Sequence, residues 1–251
     1  EQLLNAKDLA EMGYVLINKI YGHYLTQGVA ENFEYMYSKE QGRLYEWLYE
    51  LAPEPEVISI YTSRFTFHNL KVLTKAEVTN QDLDHLFIDD GHYSLSTMKS
   101  AVHTRMSSEL PDLLLQAIRE VYDYLQEAHV LQAIDVIYDR TFLTFQRQLA
   151  DRLGHPDVIA EISAFIDLTN IGIMGRGIMQ KHNPTFLSTI LSSSGSIPKA
   201  EYLPFAEESL ETFTTHVRST RYGALLAPII DETSHELDLT AFEKFKDDYL
   251  T

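Results

Sequence analysis

The sequence predicts an all-α protein made of three related helical units, and three observations lead to this prediction. Apolar residues recur at helical spacing along most of the chain. No segment shows the sustained alternation of apolar and polar residues, bounded by Asn-Gly or Asp-Gly turns, that is typical of strands. The pattern also repeats about every 100 positions. We therefore expect three units in a pseudo-threefold arrangement.

Two shifts define the repeat. A shift of 101 positions places Pro55 over Pro156 and Asn69 over Asn170, with apolar residues aligned between them. A shift of 201 positions places Tyr21-Gly22 over Tyr222-Gly223. Because 201 is the sum of 101 and 100, the two shifts correspond to one and two lengths of the same repeat. The predicted units span residues 1–78, 79–191 and 192–251, and the third is incomplete.

Individual helices follow from apolar stripes and from the residues that interrupt them. Prolines at 55 and 156 suit a first helical turn, so we expect long helices to begin there. The cleanest amphipathic helix begins at Pro111-Asp112. Since Tyr93 and Phe145 are 52 positions apart, against 23 between Tyr21 and Leu44, we interpret that helix as an insertion in the second unit. Residues 192–198 are predicted to form a flexible loop.

Composition excludes several classes of function. The chain has 251 residues, 45% of them apolar and 23% charged, which is typical of a globular protein. A net charge of -17 argues against binding to nucleic acid or docking on anionic lipid. The acidic surface serves either solubility or a basic protein partner. With no cysteine, disulfides and thiolate chemistry are excluded, and a reducing compartment fits.

Membrane insertion and secretion are not expected from the sequence. No apolar run reaches the roughly 20 residues that span a bilayer, and no signal-peptide pattern opens the chain. The first residue is Glu, so an upstream segment could have been lost. The last residue, Thr251, falls inside the third unit.

One cluster of side chains resembles a set of metal ligands. Carboxylates and imidazoles at short spacing could hold a cation, but the spacing fits no calcium loop or His-Glu-x-x-His helix. We therefore expect a polar turn between units. The alternative is a metal-dependent hydrolase that uses Asp84, His85, Asp89 and His92. The whole cluster comprises Asp82, Asp84, His85, Asp89, Asp90 and His92.

Other polar or glycine-rich positions favour structural roles. Gly175-Arg176-Gly177 is too short for a dinucleotide loop, so its small residues are expected to let helices approach closely. His68 has no recurring nucleophile near it and is interpreted as a histidine that bonds within or between helices. Asn69 and Asn170 lie inside apolar stripes, where an amide must form hydrogen bonds and can fix how helices meet.

The Tyr-Gly pairs are the candidates for partner binding. They indicate helix ends or tight corners, where glycine supplies backbone freedom. The second unit offers Gly91-His92-Tyr93 in place of such a pair. Repeated corners would present matching contacts to a symmetric partner. The alternative is that each tyrosine packs on its own domain. The candidate residues are Tyr21, Gly22, Tyr93, Tyr222 and Gly223.

The chain resembles a known family at four places. The strongest is Phe65-Thr66-Phe67-His68-Asn69-Leu70, with its second copy at Ile166-Asp167-Leu168-Thr169-Asn170-Ile171. The segments 139–142 and 195–198 are similar as well. Together they resemble the C subunit of V/A-type rotary ATPases, the family that includes the eukaryotic V-ATPase d subunit.

This resemblance implies a funnel-shaped body of three similar helical domains, which acts as a noncatalytic central-stalk subunit without cofactors. Such a subunit is a socket that couples the rotor shaft, formed by the D and F subunits, to the membrane rotor ring during proton or sodium transport. It is expected in the cytoplasm, peripheral to the membrane, within a heteromeric complex and without lipid insertion. A generic helical-repeat adaptor is the alternative from another class, and the metal-dependent hydrolase is the third.

Overall fold

The structure, a computed structural model, describes residues 2–17, 19, 22, 29–90, 92–128 and 130–249. These residues form α-helices joined by loops and short 3-10 turns, and the β-type pairing recorded among them is an isolated bridge between Ile230 and Leu237. The prediction of an all-α fold is confirmed. The helices are α1 (Leu9–Ile17), α2 (Val29–Leu51), α3 (Pro55–Thr79), α4 (Leu95–Thr104), α5 (Asp112–Ala128), α6 (Gln132–Leu153), α7 (Pro156–Met179), α8 (Pro184–Ile190), α9 (Lys199–Tyr202), α10 (Leu210–Ser219), α11 (Gly223–Leu226) and α12 (Leu239–Tyr249).

The chain divides into two compact units, Glu1–Pro111 and Asp112–Thr251. The first unit continues past the end of α3 because α4 and the turn before it pack on α3. This boundary lies beyond the position 78/79 expected from the repeat. The division into three repeat units and their pseudo-threefold arrangement stay predictions.

Unit 1 is organised around α3. Pro55 occupies the first turn of this helix, as predicted, and Asn80 ends it in the left-handed conformation, with φ 54°. Helix α2 packs along α3, where the hydroxyl groups of Tyr49 and Thr62 lie 2.5 Å apart. Apolar residues of α3 and α4, such as Leu70 and Met98, are fully buried. The long helix is therefore the core of this unit.

Unit 2 is organised in the same way around α7, which again begins at a proline. Helices α6, α8, α10 and α12 all pack on it. A Cβ added at Gly175 would lie 2.6 Å from Leu239 Cδ2 of α12, and one added at Gly177 would collide with Leu187 of α8. The prediction that these small residues let helices approach closely is confirmed.

Helix α5 begins at Asp112, as predicted, but its interpretation as an insertion is wrong. The shifts of 101 and 100 place Leu16 of α1 over Ala117 of α5 and Val217 of α10, and all three side chains are buried. Helix α5 is thus the counterpart of α1 and α10. It has no corner because Asp123 stands where the other copies have a glycine, and the helix continues through it.

The same register corrects the choice of Tyr93 as the corner tyrosine of the second copy. Both shifts place Tyr122, not Tyr93, over the corner tyrosines of the other copies. Tyr122 lies in the middle of α5 and is buried. The signal was available in the sequence, because the shift of 100 that aligns Phe142 with Phe242 also gives this assignment.

Among the described residues, α7 has the length and composition of a membrane-spanning helix. Its most apolar stretch of 18 residues has a mean hydropathy of 1.4, but 61% of that stretch is buried inside the protein. Burial of this kind is typical of the core helix of a soluble protein. The length and composition of α7 are therefore only weak support for membrane insertion. The sequence-based statement that no segment is apolar enough is therefore too strong for α7.

Candidate functional site

The corner at Tyr222-Gly223 joins α10 to α11 in unit 2. Tyr222 is only 4% exposed, and its hydroxyl donates a hydrogen bond to Oδ2 of Asp167 on α7, at 2.8 Å. Burial raises the pKa of Tyr222, and the Asp167 carboxylate raises that pKa further. The phenol therefore remains a neutral donor around pH 7. Its side chain is engaged within its own unit.

Gly22 and Gly223 make equivalent backbone contacts, 201 positions apart. A Cβ at Gly223 would collide with the carbonyl oxygen of Arg218, and a Cβ at Gly22 would collide with that of Ile17. The Gly223 N–H donates to Thr220 at 3.0 Å, and the Gly22 N–H donates to Lys19 at 3.1 Å. Both corners therefore require glycine because the chain turns back against its own backbone.

Two of the other candidate residues have different settings. Tyr21 lies outside the described residues. Tyr93 is half-buried just before α4, and its backbone N–H donates to Oδ1 of Asp90 at 3.1 Å. Burial first, and then the Asp90 charge, raise the pKa of Tyr93. The partner-binding role of the five corner residues stays a prediction.

The paired asparagines hold loops rather than a second helix. Asn69 Nδ2 donates to the Ile88 carbonyl at 2.7 Å, and the Ile88 N–H donates back to Asn69 Oδ1 at 2.9 Å. Asn170 makes the same two bonds with Ser192, at 2.9 and 3.0 Å. Both amides are buried. The prediction that they form hydrogen bonds is confirmed, and each fixes the loop after its long helix.

A carboxylate forms a further hydrogen bond between each long helix and the loop after it. The carboxylate belongs to the loop in unit 1 and to the helix in unit 2. In unit 1, Thr66 of α3 donates to Oδ2 of Asp90 in the loop, at 2.5 Å. In unit 2, the equivalent position of α7 is Asp167, which accepts from Ser196 Oγ of the loop at 2.5 Å. A shift of 101 relates Thr66 to Asp167. The repeat does not reveal this pair of contacts, because the residue types at the equivalent positions do not match.

The loop at residues 192–198 is consequently less free than its composition suggests. Besides the bonds to Asn170, the Ile197 N–H donates to Asp167 Oδ1 at 3.0 Å. A Cβ at Gly195 would collide with the same carboxylate oxygen. Ser192 is fully buried. The serine-rich segment is a packed loop that needs glycine for its close approach to α7.

The acidic cluster between α3 and α4 is dispersed into separate contacts. Asp84 is ion-paired with Lys99, and Asp82 accepts the backbone N–H of Asp84 at 3.1 Å. His92 is exposed, and its ring stacks on that of Tyr49 with ring centres 5.0 Å apart; partial desolvation lowers the pKa of His92. In the part of the chain that the structure describes, no group of three or more His, Cys, Asp or Glu residues could hold a metal ion.

His68 has a structural contact. Its Nε2 lies 3.0 Å from the carbonyl oxygen of Leu86, so an Nε2–H tautomer donates to the loop that follows α3. The side chain is half-buried. This agrees with its interpretation as a histidine that bonds locally.

Comparison with known proteins gives a consistent result over the whole chain. Residues 1–251 match the family described as ATP synthase (C/AC39) subunit. The chain is 50% identical over 251 residues to the C subunit of the V-type sodium ATPase from Enterococcus hirae. That alignment covers 100% of this chain and 76% of the relative.

Proposed function

Because the chain belongs to the ATP synthase (C/AC39) subunit family, we propose that this V/A-type ATPase subunit is a noncatalytic socket of the central stalk. In this role it couples the rotor shaft of D and F subunits to the membrane rotor ring, and so connects ATP hydrolysis with proton or sodium transport. The protein itself hydrolyses nothing. It lies on the cytoplasmic side, peripheral to the membrane.

The observation that carries this proposal is that the recurring asparagines and glycines fix the conformation of the backbone. Asn69 and Asn170 hold loops by two hydrogen bonds each, and Gly22 and Gly223 permit equivalent turns. Closely packed interiors are stiff and transmit strain. A protein whose recurring asparagines and glycines all fix the backbone is suited to the transmission of torque. The same residues offer no nucleophile or acid–base pair.

The corners are proposed as contacts with the rotor ring. The Tyr222 ring lies inside the protein, so the surface of its corner is formed by the exposed Arg218 and Arg221 that flank it. The guanidinium of Arg221 lies 5.5 Å from the centre of the Tyr222 ring. In a chain of net charge -17, these arginines give the corner a local positive charge. Tyr222 and Gly223 thus shape the contact, and the arginines make it.

Reconstitution tests the proposal. The purified protein should bind the D/F shaft complex and, separately, the detergent-solubilised rotor ring, and should show no ATP hydrolysis alone. The charge-reversal variant R218E/R221E should weaken binding to the ring and leave shaft binding intact. The matched control, R152E/K181E, reverses two exposed charges elsewhere in unit 2. Failure of the unmodified protein to bind either partner would refute the socket role and favour an adaptor outside the ATPase.

A further inference from the structure

Helix α2 carries a line of apolar side chains that the described part of the chain leaves exposed. Every apolar residue in the line is between 46% and 61% exposed. Glu40, ion-paired with Arg43, fills the one remaining position. We call these six residues the α2 seam. The apolar members are Phe33, Tyr37, Leu44, Trp47 and Leu51.

The spacing of the α2 seam indicates what fits it. Successive members are 4, 3, 4, 3 and 4 positions apart, which is the spacing of a coiled-coil seam, where side chains of one helix insert between those of another. From Phe33 to Leu51 the seam is roughly 27 Å long, at 1.5 Å per residue. A helix of similar length would cover it.

The seam lies away from the face of α2 that contacts α3. Tyr49 meets Thr62 of α3 through its hydroxyl, and the Tyr45 ring lies 5.8 Å from that of Phe65. These α3-facing positions lie about 100–140° around the helix axis from Leu44, at 100° per residue. Packing within the unit therefore leaves the seam available.

In the second copy of the repeat, the positions that correspond to the first half of the seam are buried. A shift of 101 places Phe33, Tyr37 and Leu44 over Ile134, Tyr138 and Phe145 of α6. These three residues are buried, and α5 packs along α6. The counterpart of α5 in the first copy is α1, which ends at Ile17 and leaves the seam exposed. The exposed Gln148 and Arg152 correspond to Trp47 and Leu51, so the second copy gives an example of a covered face for the first half of the seam only.

Charge identifies the kind of helix. Glu46 and Glu50 are exposed beside Trp47, and Glu54 and Glu56 are exposed just beyond the end of α2. No basic residue lies in the last turn of α2, so the negative end of the helix dipole adds to these charges. The half of the seam around Trp47 and Leu51 therefore has a strongly negative surround. A partner with lysine or arginine beside its apolar ridge would complement it.

The size of the seam also favours a partner. Three aromatic and two leucine side chains, each about half exposed, leave roughly 400–500 Å² of apolar surface on the usual scale of such side chains. This is the size of the largest apolar patch on a typical monomer, and such patches are often functional.

We propose that the α2 seam docks a basic amphipathic helix of another subunit of the ATPase. The helix carries aliphatic residues at alternating spacings of three and four, flanked by lysine or arginine. This inference rests on the proposed function, since it takes the partner from the same complex.

Site-specific crosslinking in the assembled ATPase tests the occupant. A photoreactive residue at Leu44 should crosslink to a peptide of another subunit with the stated pattern. The control position is Met106, which is 67% exposed outside the seam. Crosslinks from Leu44 to its own chain, to a second copy of it or to lipid would overturn the inference while leaving the socket role intact. Absence of assembly would refute both.

Binding measurements provide a second test. Trp47 is the single tryptophan, so its emission should shift to shorter wavelength when the partner that supplies the helix is added. The variant L44E/L51E should bind that partner roughly tenfold more weakly or worse, whereas the control M106E/M179E should bind normally. The variant E46K/E50K should weaken binding and reduce its salt dependence, unlike E207K/E208K. Unchanged Trp47 emission at saturation, with all variants folded by circular dichroism, would overturn the inference.

Discussion

Asn170 of α7 and Ser192 of the following loop exchange two hydrogen bonds, at 2.9 and 3.0 Å. Asn69 and Ile88 exchange the same two bonds in unit 1, at 2.7 and 2.9 Å. Each asparagine satisfies one buried backbone donor and one buried acceptor. The loop cannot leave its helix without breaking both bonds, so the repeated asparagine is a lock between a long helix and the loop after it.

Replacement of this lock should be costly. The Asn170→Ala variant leaves the N–H and carbonyl of Ser192 buried without partners, and each such group costs about 1–3 kcal/mol. We expect the free energy of unfolding, measured by urea denaturation, to fall by about 2–5 kcal/mol. The comparison variant is Asn183→Ala, which removes the helix-capping bond to Phe186 N–H and should cost about 1 kcal/mol. Equal losses in the two variants would contradict the lock.

The two kinds of glycine in unit 2 should respond differently to alanine. Gly223→Ala places a Cβ against the backbone carbonyl of Arg218, and a collision with backbone cannot be relieved by a side-chain rotation. We expect a loss of about 2–3 kcal/mol or more in the free energy of unfolding, on the scale of overpacked sites. Gly154 has a φ of 69° but nothing within 4 Å of its added Cβ. Gly154→Ala should therefore cost only about 1–2 kcal/mol, from backbone strain. A larger loss at Gly154 would contradict this account.

His92 should make unit 1 less stable in acid. His92 is exposed, but its ring packs against the rings of Tyr49 and Tyr93, and this partial desolvation lowers its pKa because it disfavours the charged imidazolium, although Asp90 acts in the opposite direction. The folded state therefore binds the proton more weakly than the unfolded state, whose pKa is near the ordinary value of 6.5. The contribution of His92 to the free energy of unfolding is fully present above pH 6.5 and is lost as pH falls below this value. Histidine NMR titration should give a midpoint below 6.5 for the resonance that disappears in His92→Gln, and a midpoint at or above 6.5 would contradict the desolvation of this ring.

The repeat and the helix stripes were predictable because they depend on residues that keep their type from copy to copy. Pro55 and Pro156 begin the long helices, and Asn69 and Asn170 lie at matching positions, so a fixed shift reveals them. The contact between Thr66 and Asp90 was not predictable in this way, because unit 2 places the carboxylate on the helix, at Asp167, and the hydroxyl in the loop. The geometry is retained while the residue types exchange sides.

The surroundings of the corner tyrosines could not be predicted from sequence spacing. The glycine beside Tyr222 predicts a corner there, but not that its ring is buried and that its hydroxyl donates to Asp167 on another helix. The counterpart in the second copy, Tyr122, lies within a continuous helix because Asp123 replaces the corner glycine. The chain turns where this position is a glycine and continues as a helix where it is Asp123. The equivalence of these positions is visible only when the same shift is applied to the whole chain.

The bond between Tyr222 and Asp167 should make unit 2 sensitive to alkali. Burial first, and then the Asp167 carboxylate, raise the pKa of Tyr222 above its ordinary value of 10.0. The unfolded state therefore loses the phenol proton at a lower pH than the folded state. The contribution of Tyr222 to the free energy of unfolding is fully present below pH 10. It should fall as pH rises above about 10, by up to about 1.4 kcal/mol per pH unit for one tyrosine.

The variant Tyr222→Phe isolates this contribution. At neutral pH it should lower the free energy of unfolding by about 1–3 kcal/mol, because the buried Asp167 loses a donor. Between about pH 10 and 12 its stability should decline less steeply than that of the unmodified protein, with the remaining slope coming from buried tyrosines such as Tyr202, whose pKa is also raised by burial. Tyr124→Phe, at a ring that is 44% exposed, is the neutral-pH control and should change stability little. Parallel alkaline slopes for Tyr222→Phe and the unmodified protein, from urea titrations at each pH, would show that the Tyr222 phenol ionises equally easily in both states.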